Sequence, residues 1–245
     1  MSEGKKIALV TGANKGIGFE IARQLGGRDI TVLVGARDLA RGEEAIQKLR
    51  AEKIEAVLVQ LDVTNQTSID AAAAFIDQAY GRLDILVNNA AISVGEWSTP
   101  PSQLSLEDLQ KTFATNVFGA FAVIKAMLPL LHRSQAGRIV NLSSEMGSLS
   151  INSDADSPIA QFPPTLAYNA SKTALNTLTV FFAKELQGTP IKVNSVSPGY
   201  VATDLNGHSG YLTAEQGARV PVTYATLLAD GPTGGFFGAN GQIAW

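Results

Sequence analysis

Short, nearly continuous apolar runs alternate with amphipathic helical stretches along almost the whole chain, and this rhythm leaves few folds open. The runs are Ile7–Thr11, Ile30–Val34, Ala56–Leu61, Leu83–Asn88, Arg138–Ser143 and Ile191–Ser197. Between them apolar residues recur at helical spacing, first at Ile17, Ile21, Ala22 and Leu25, then across 39–49, 68–80, 106–131 and 166–186. A strand that is apolar at nearly every position is covered on both faces. Repeated strand–helix units of that kind predict an α/β domain with a parallel sheet between two helical layers. The ending Gly241–Trp245 is expected to close the sheet. No shift in composition divides the chain, so residues 1–245 read as one domain.

The bulk properties exclude several functions. With 19 basic and 22 acidic residues the formal net charge is −3, which gives no reason to expect nucleic acid or an anionic membrane as partner. The absence of cysteine removes disulfides, thiolate catalysis and cysteine-held metal. His132 and His208 are the two histidines and lie far apart in sequence, so no metal is expected. The start lacks a long apolar targeting segment, and no stretch is expected to reach the roughly 18–20 apolar residues of a membrane span. The expectation is a soluble, cytoplasmic protein.

The first strand runs into Thr11-Gly12-Ala13-Asn14-Lys15-Gly16-Ile17-Gly18 and then a helix. Glycines in that position allow a tight turn and close backbone approach. The free N–H groups of the following helix favour a pyrophosphate. The second strand ends in Ala36-Arg37, where an acid would grip two ribose hydroxyls in an enzyme selective for NAD. Arg37, with Lys15 beside it, would instead pair with a 2′-phosphate, so NADP(H) is expected in preference to NAD(H). Asp62 and Val63 follow the third strand, where the acid would hold the adenine amino group and the adjacent backbone its ring edge. Asn89 and Ala90 follow the fourth strand, where small residues let the backbone pass close to a cofactor. Ordinary turn formation competes with both readings.

Tyr168 and Lys172 stand four positions apart on one helix face. An ammonium there would favour the phenolate, and bringing a tyrosine from about 10 to about 7 takes roughly 4 kcal/mol. Tyr168 would then serve as acid in carbonyl reduction and base in alcohol oxidation. Ser144, at the end of the fifth strand, would donate to the substrate oxygen, with Ser143 turned into the strand end. Asn116 interrupts an apolar helix; its amide must find a backbone group or a water, and that water would link Lys172 to solvent. Pro198 and Gly199 would turn the backbone beneath a nicotinamide, while Thr203 bonds its carboxamide. Residues 204–220 would form a movable cover.

Together these segments resemble the short-chain dehydrogenase/reductase family over essentially the whole chain. The resemblance rests on the Thr11–Gly18 turn, Asn88-Asn89-Ala90, and Asn116, Ser144, Tyr168 and Lys172 in the order of the family's catalytic tetrad. It implies a single Rossmann-like, doubly wound domain with a mostly seven-stranded parallel sheet, and cofactor contacts from Gly12, Asn14, Lys15, Gly16, Ile17, Gly18, Arg37, Asp62, Val63, Asn89, Ala90, Tyr168, Lys172, Pro198, Gly199, Val201 and Thr203. The NADPH-using carbonyl reductase branch looks most similar. Two features depart from the pattern: Ala91 replaces a glycine, and the gap from Ser144 to Tyr168 is long. Residues 145–167 of that gap are expected to be a surface loop narrowing the substrate entrance. Phe162, Tyr200, Tyr211 and Leu212, with Ser144 and Tyr168, are the expected substrate contacts. The expected partner is a small carbonyl or alcohol; monomer and homo-oligomer both stay open. A redox-inactive dinucleotide-binding regulator and a sugar-nucleotide epimerase or dehydratase are the competing readings.

Overall fold

In the computed structural model, which describes residues 4–162 and 165–245, the first apolar run is strand β1 (Ile7–Thr11) of an eight-stranded sheet. It is followed by α1 (Gly16–Gly26), β2 (Thr31–Ala36), α2 (Leu39–Ala51), β3 (Ala56–Gln60), α3 (Gln66–Tyr80) and β4 (Ile85–Asn88). Strand β1 pairs in parallel with β2 on one side and β4 on the other. The strand order therefore reverses beside β1, and the sheet reads β3-β2-β1-β4-β5-β6-β7-β8. A crevice opens at such a reversal, beyond the carboxyl ends of the strands.

Alternate residues of each strand point to opposite faces. Ile7 and Leu9 enter a core with α3 and the later helices α5 (Ala120–Leu131) and α7 (Leu166–Glu185), where Ile76, Met127 and Phe182 lie. Ala8 and Val10 enter the second core with Ile21, Ile46 and Val222 from α1, α2 and α8 (Ala214–Ala225). Both faces are thus dry, as uninterrupted apolar runs require.

Strands β5 (Arg138–Leu142), β6 (Lys192–Val196) and β7 (Phe236–Gly238) continue the parallel sheet, giving seven parallel strands. The closing strand expected at Gly241–Trp245 is shortened to Gly241–Gln242, and an unexpected parallel strand, β7, precedes it. Phe236 and Phe237 pair with Ser195 and Val196, whereas β8 (Gly241–Gln242) is an exposed antiparallel return on β7. The physical reason is burial: Phe236 is fully enclosed, and a strand of three residues is too short to register as a periodic run.

The 106–131 stretch divides into α4 (Leu106–Phe113), a π-helical turn at Ala114–Gly119, and α5. It spans 26 residues and holds an 18-residue window apolar enough to cross a membrane, by length and composition only. The expectation that no stretch comes near this is therefore corrected. Half of that window is buried within the fold. Val123, Ile124 and Met127 pack into the first core, so the apolarity has a role there.

The 145–167 insertion has more structure than a loop: helical turns at Glu145–Gly147 and Pro158–Gln161 and the short α6 (Leu149–Ser153). The Ser148 hydroxyl donates to the Ala244 carbonyl at 2.7 Å, and the Ser150 N–H to that of Trp245 at 2.9 Å. Pro163 and Pro164 of the insertion lie outside the described residues. The cover expected at 204–220 is also narrowed. From Ala214 onward the chain is α8, with Ala218 and Val222 fully buried, which leaves 204–213 outside the core.

Candidate active site

The cofactor turn is shaped by glycine where the sequence places it. Gly12 and Gly16 take φ of +64° and +58°, a region strained for side chains bearing Cβ. A Cβ on Gly18 would lie 2.4 Å from Asn89 Nδ2 and 2.6 Å from the Gly12 carbonyl oxygen. Lys15, which precedes α1, makes no side-chain cap, and the first turn of α1 has no acidic residue. The helix therefore presents free N–H groups and a positive dipole end over a surface without side-chain bulk, which suits a pyrophosphate.

Neighbouring groups brace this turn. The Thr11 hydroxyl accepts the N–H groups of Asn89 and Ala90, both at 3.0 Å. Asn89 Nδ2 donates to the carbonyls of Thr11 and Gly12 at 2.8 and 3.2 Å, so its amide donors hold the turn itself. Asn14 and Ile17 remain half-buried within it. Arg37 is exposed at the end of β2, and the adjacent Asp38 is occupied with the α2 amino end and Arg41. Lys15 is ion-paired with Asp204, which also holds His208 at 2.8 Å. Asp62 forms an Asx turn, its Oδ1 accepting from the Thr64 N–H and hydroxyl at 2.9 and 2.7 Å. Val63 is buried, and its carbonyl would lie 2.8 Å from a Cβ on Gly119.

The reactive side chains converge at the carboxyl end of β5. Ser143 is buried, its hydroxyl donating to the Lys172 carbonyl at 3.4 Å, as expected for the residue turned inward. Ser144 follows, its oxygen accepting from the Met146 N–H at 3.2 Å and its hydroxyl set beside the Tyr168 phenol. Lys172 Nζ lies 5.4 Å from the Tyr168 ring centroid and donates to the Leu142 carbonyl at 2.7 Å.

The electrostatics differ from the expectation in one respect. Burial pushes the Tyr168 phenol up to about 12, opposed by its hydrogen bond with Ser144. Burial also pushes Lys172 down to about 7. Desolvation dominates at Tyr168, because a buried phenolate loses more on leaving water than the Ser144 hydroxyl returns. The phenol is held as an acid.

Asn116 is 1% exposed inside the π-helical turn. Its Oδ1 accepts the Ile92 N–H, and its Nδ2 donates to the Ile92 carbonyl, both at 2.9 Å, and to Ser171 Oγ at 3.0 Å. Ser171 in turn donates to the Tyr168 carbonyl at 2.7 Å. The side chain thus ties the loop after β4 to the catalytic helix.

The chain after β6 forms the other side of the crevice. Gly199 takes φ of +80° after Pro198, and Thr203 Cγ2 lies 3.9 Å from where a Cβ on Gly16 would be, beside the cofactor turn. Val201 is buried and bridges to Leu212, which bonds Tyr200 and Ala202 through its backbone. Tyr200 meets Phe162 and Tyr211 edge-to-face, with centroids 5.7 and 5.9 Å apart. These expected substrate contacts form one aromatic group. Trp97, in the loop between β4 and α4, was not among them, yet its ring lies 5.9 Å from that of Tyr168. Its only signal in the sequence is being one of two tryptophans.

The short chain dehydrogenase family model matches residues 6–211. The chain is 35% identical to (-)-isopiperitenone reductase of Mentha piperita over 314 aligned positions, covering 100% of this chain and 99% of that protein. It is 34% identical to carbonyl reductase [NADPH] 1 of Bos taurus, with both covered in full (100%). Among solved structures, NADPH-bound carbonyl reductase from chicken fatty liver superposes with a TM-score of 0.85 at 28% identity, covering 98% of this chain and 99% of that one. This chain belongs to the short-chain dehydrogenase family.

Proposed function

We propose that the protein is an NADPH-dependent reductase of ketones or aldehydes, working reversibly on a small carbonyl/alcohol pair. The reaction class follows from the family and from relatives that include an NADPH-dependent carbonyl reductase. The observation that carries the residue assignment is the convergence of Ser144, Tyr168 and Lys172 on one end of β5.

The glycine-lined turn and the free amino end of α1 fit the pyrophosphate of NADPH. Arg37 and Lys15 fit its 2′-phosphate, and Pro198, Gly199 and Thr203 its nicotinamide end. When bound, NADPH supplies the hydride that reduces the carbonyl carbon. Ser144 and Tyr168 hold the carbonyl oxygen, and the protonated Tyr168 phenol gives its proton as negative charge develops there. Lys172 would hold the cofactor's ribose and, where protonated, favours the phenolate left behind. The buried Asn116 keeps the catalytic helix and the loop after β4 in register.

Cofactor-resolved assays against aldehydes, ketones and alcohols test this reading. Oxidation of NADPH by a carbonyl, with kcat/KM well above that for NADH, is expected. Absence of turnover with every carbonyl, or a preference for NADH, would refute it.

A further inference from the structure

The catalytic account leaves Trp97 unused, although it is packed on the ring of the acid. Its ring plane is tilted 42° to that of Tyr168. Tyr168 is 8% exposed, whereas Trp97 is half-buried. The loop carrying it is held at its base by the paired Asn116–Ile92 bonds and folded further on by a turn from Glu96 to Thr99. An indole packed on the ring of the acid offers a broad, rigid apolar face.

A second aromatic group gathers residues of the insertion and of the chain after β6. Phe162, Tyr200 and Tyr211 stack edge-to-face, with Tyr211 80% exposed at the rim. The rings packed at Tyr168 and at Tyr200 are aromatic, and match a ring-bearing molecule.

Resting on the carbonyl reductase reading, we propose that Trp97 is a specificity-determining residue. Its indole is the wall against which the ring of an aryl or cyclic ketone lies while Ser144 and Tyr168 hold the ketone oxygen. Small acyclic ketones reach the same oxygen site without touching this wall.

The test compares acetophenone with butanone in the wild type, Trp97→Ala and Trp97→Phe, with NADPH affinity measured by fluorescence. Trp97→Ala is expected to lower kcat/KM for acetophenone roughly 10- to 100-fold and for butanone less than about threefold. Trp97→Phe is expected to regain most of the loss, and NADPH affinity to stay within about twofold. If the alanine variant does not fold, Trp97→Leu, which keeps apolar bulk without an aromatic face, is read in its place. Equal losses for the two ketones, or no loss for either, overturn the proposal while leaving carbonyl reduction intact. A wild type inactive on every carbonyl overturns both.

Discussion

Replacing Asn116 with alanine should destabilise the protein heavily, although the residue contacts no substrate in this account. The substitution removes three hydrogen bonds, two to the Ile92 backbone and one to Ser171. Ser171 keeps its own donated bond to the Tyr168 carbonyl, and the Ile92 groups are part-buried, so water can compensate some of the loss. At about 1 kcal/mol for each bond the loss is about 3 kcal/mol, and a small cavity adds to it. In a domain of this size each kcal/mol lowers Tm by about 2–4 °C, so a drop of roughly 6–12 °C is expected. Asn116→Asp should be no milder, because a carboxylate cannot donate to the Ile92 carbonyl. Thermal melts of the cofactor-free variants provide the measurement. If Asn116→Ala melts within about 2 °C of wild type while losing turnover, the anchoring argument is refuted and a role in proton supply is favoured instead.

Three other outcomes follow from the same geometry. Arg37→Ala should raise KM for NADPH roughly 10- to 100-fold and leave that for NADH nearly unchanged; equal changes for both would remove Arg37 from the 2′-phosphate site. Gly18→Ala should weaken NADPH binding and cost about 1–3 kcal/mol, because its Cβ would fall 2.4 Å from Asn89 Nδ2; a variant with normal affinity and stability contradicts that packing. Lys172 has a folded-state pKa of about 7 against its ordinary 10.5, so between those values the unfolded chain binds the extra proton. Its contribution to the stability of the cofactor-free protein should therefore rise with pH from about 7 to about 10.5, and Lys172→Met should remove that slope in denaturant titrations. Matching slopes in the two proteins would show that Lys172 is not desolvated.

The central sheet and its order of helices were legible because dry strands and amphipathic helices impose different periods. Ser144, Tyr168 and Lys172 were legible because the α7 repeat and the end of β5 fix their positions locally. Helix α8 was obscured by Gly207, Gly210 and Gly217 and by Pro221 within it, although Thr213 and Gln216 form a capping box at its start. Strand β7 was hidden by its length, since only three residues pair. What Asn116 bonds, and whether burial or the ammonium controls Tyr168, depend on groups from distant segments and leave no local pattern. Trp97 was invisible for the same reason: nothing in its own loop shows that α7 packs beneath it.

The most direct test of the account is single-turnover reduction of a ketone by the NADPH complex of Tyr168→Phe. The variant should keep most of its NADPH binding, and reduce the ketone about 10²- to 10⁴-fold more slowly, because the proton donor has been removed. A folded Tyr168→Phe enzyme that reduces the ketone at close to the wild-type rate would contradict it.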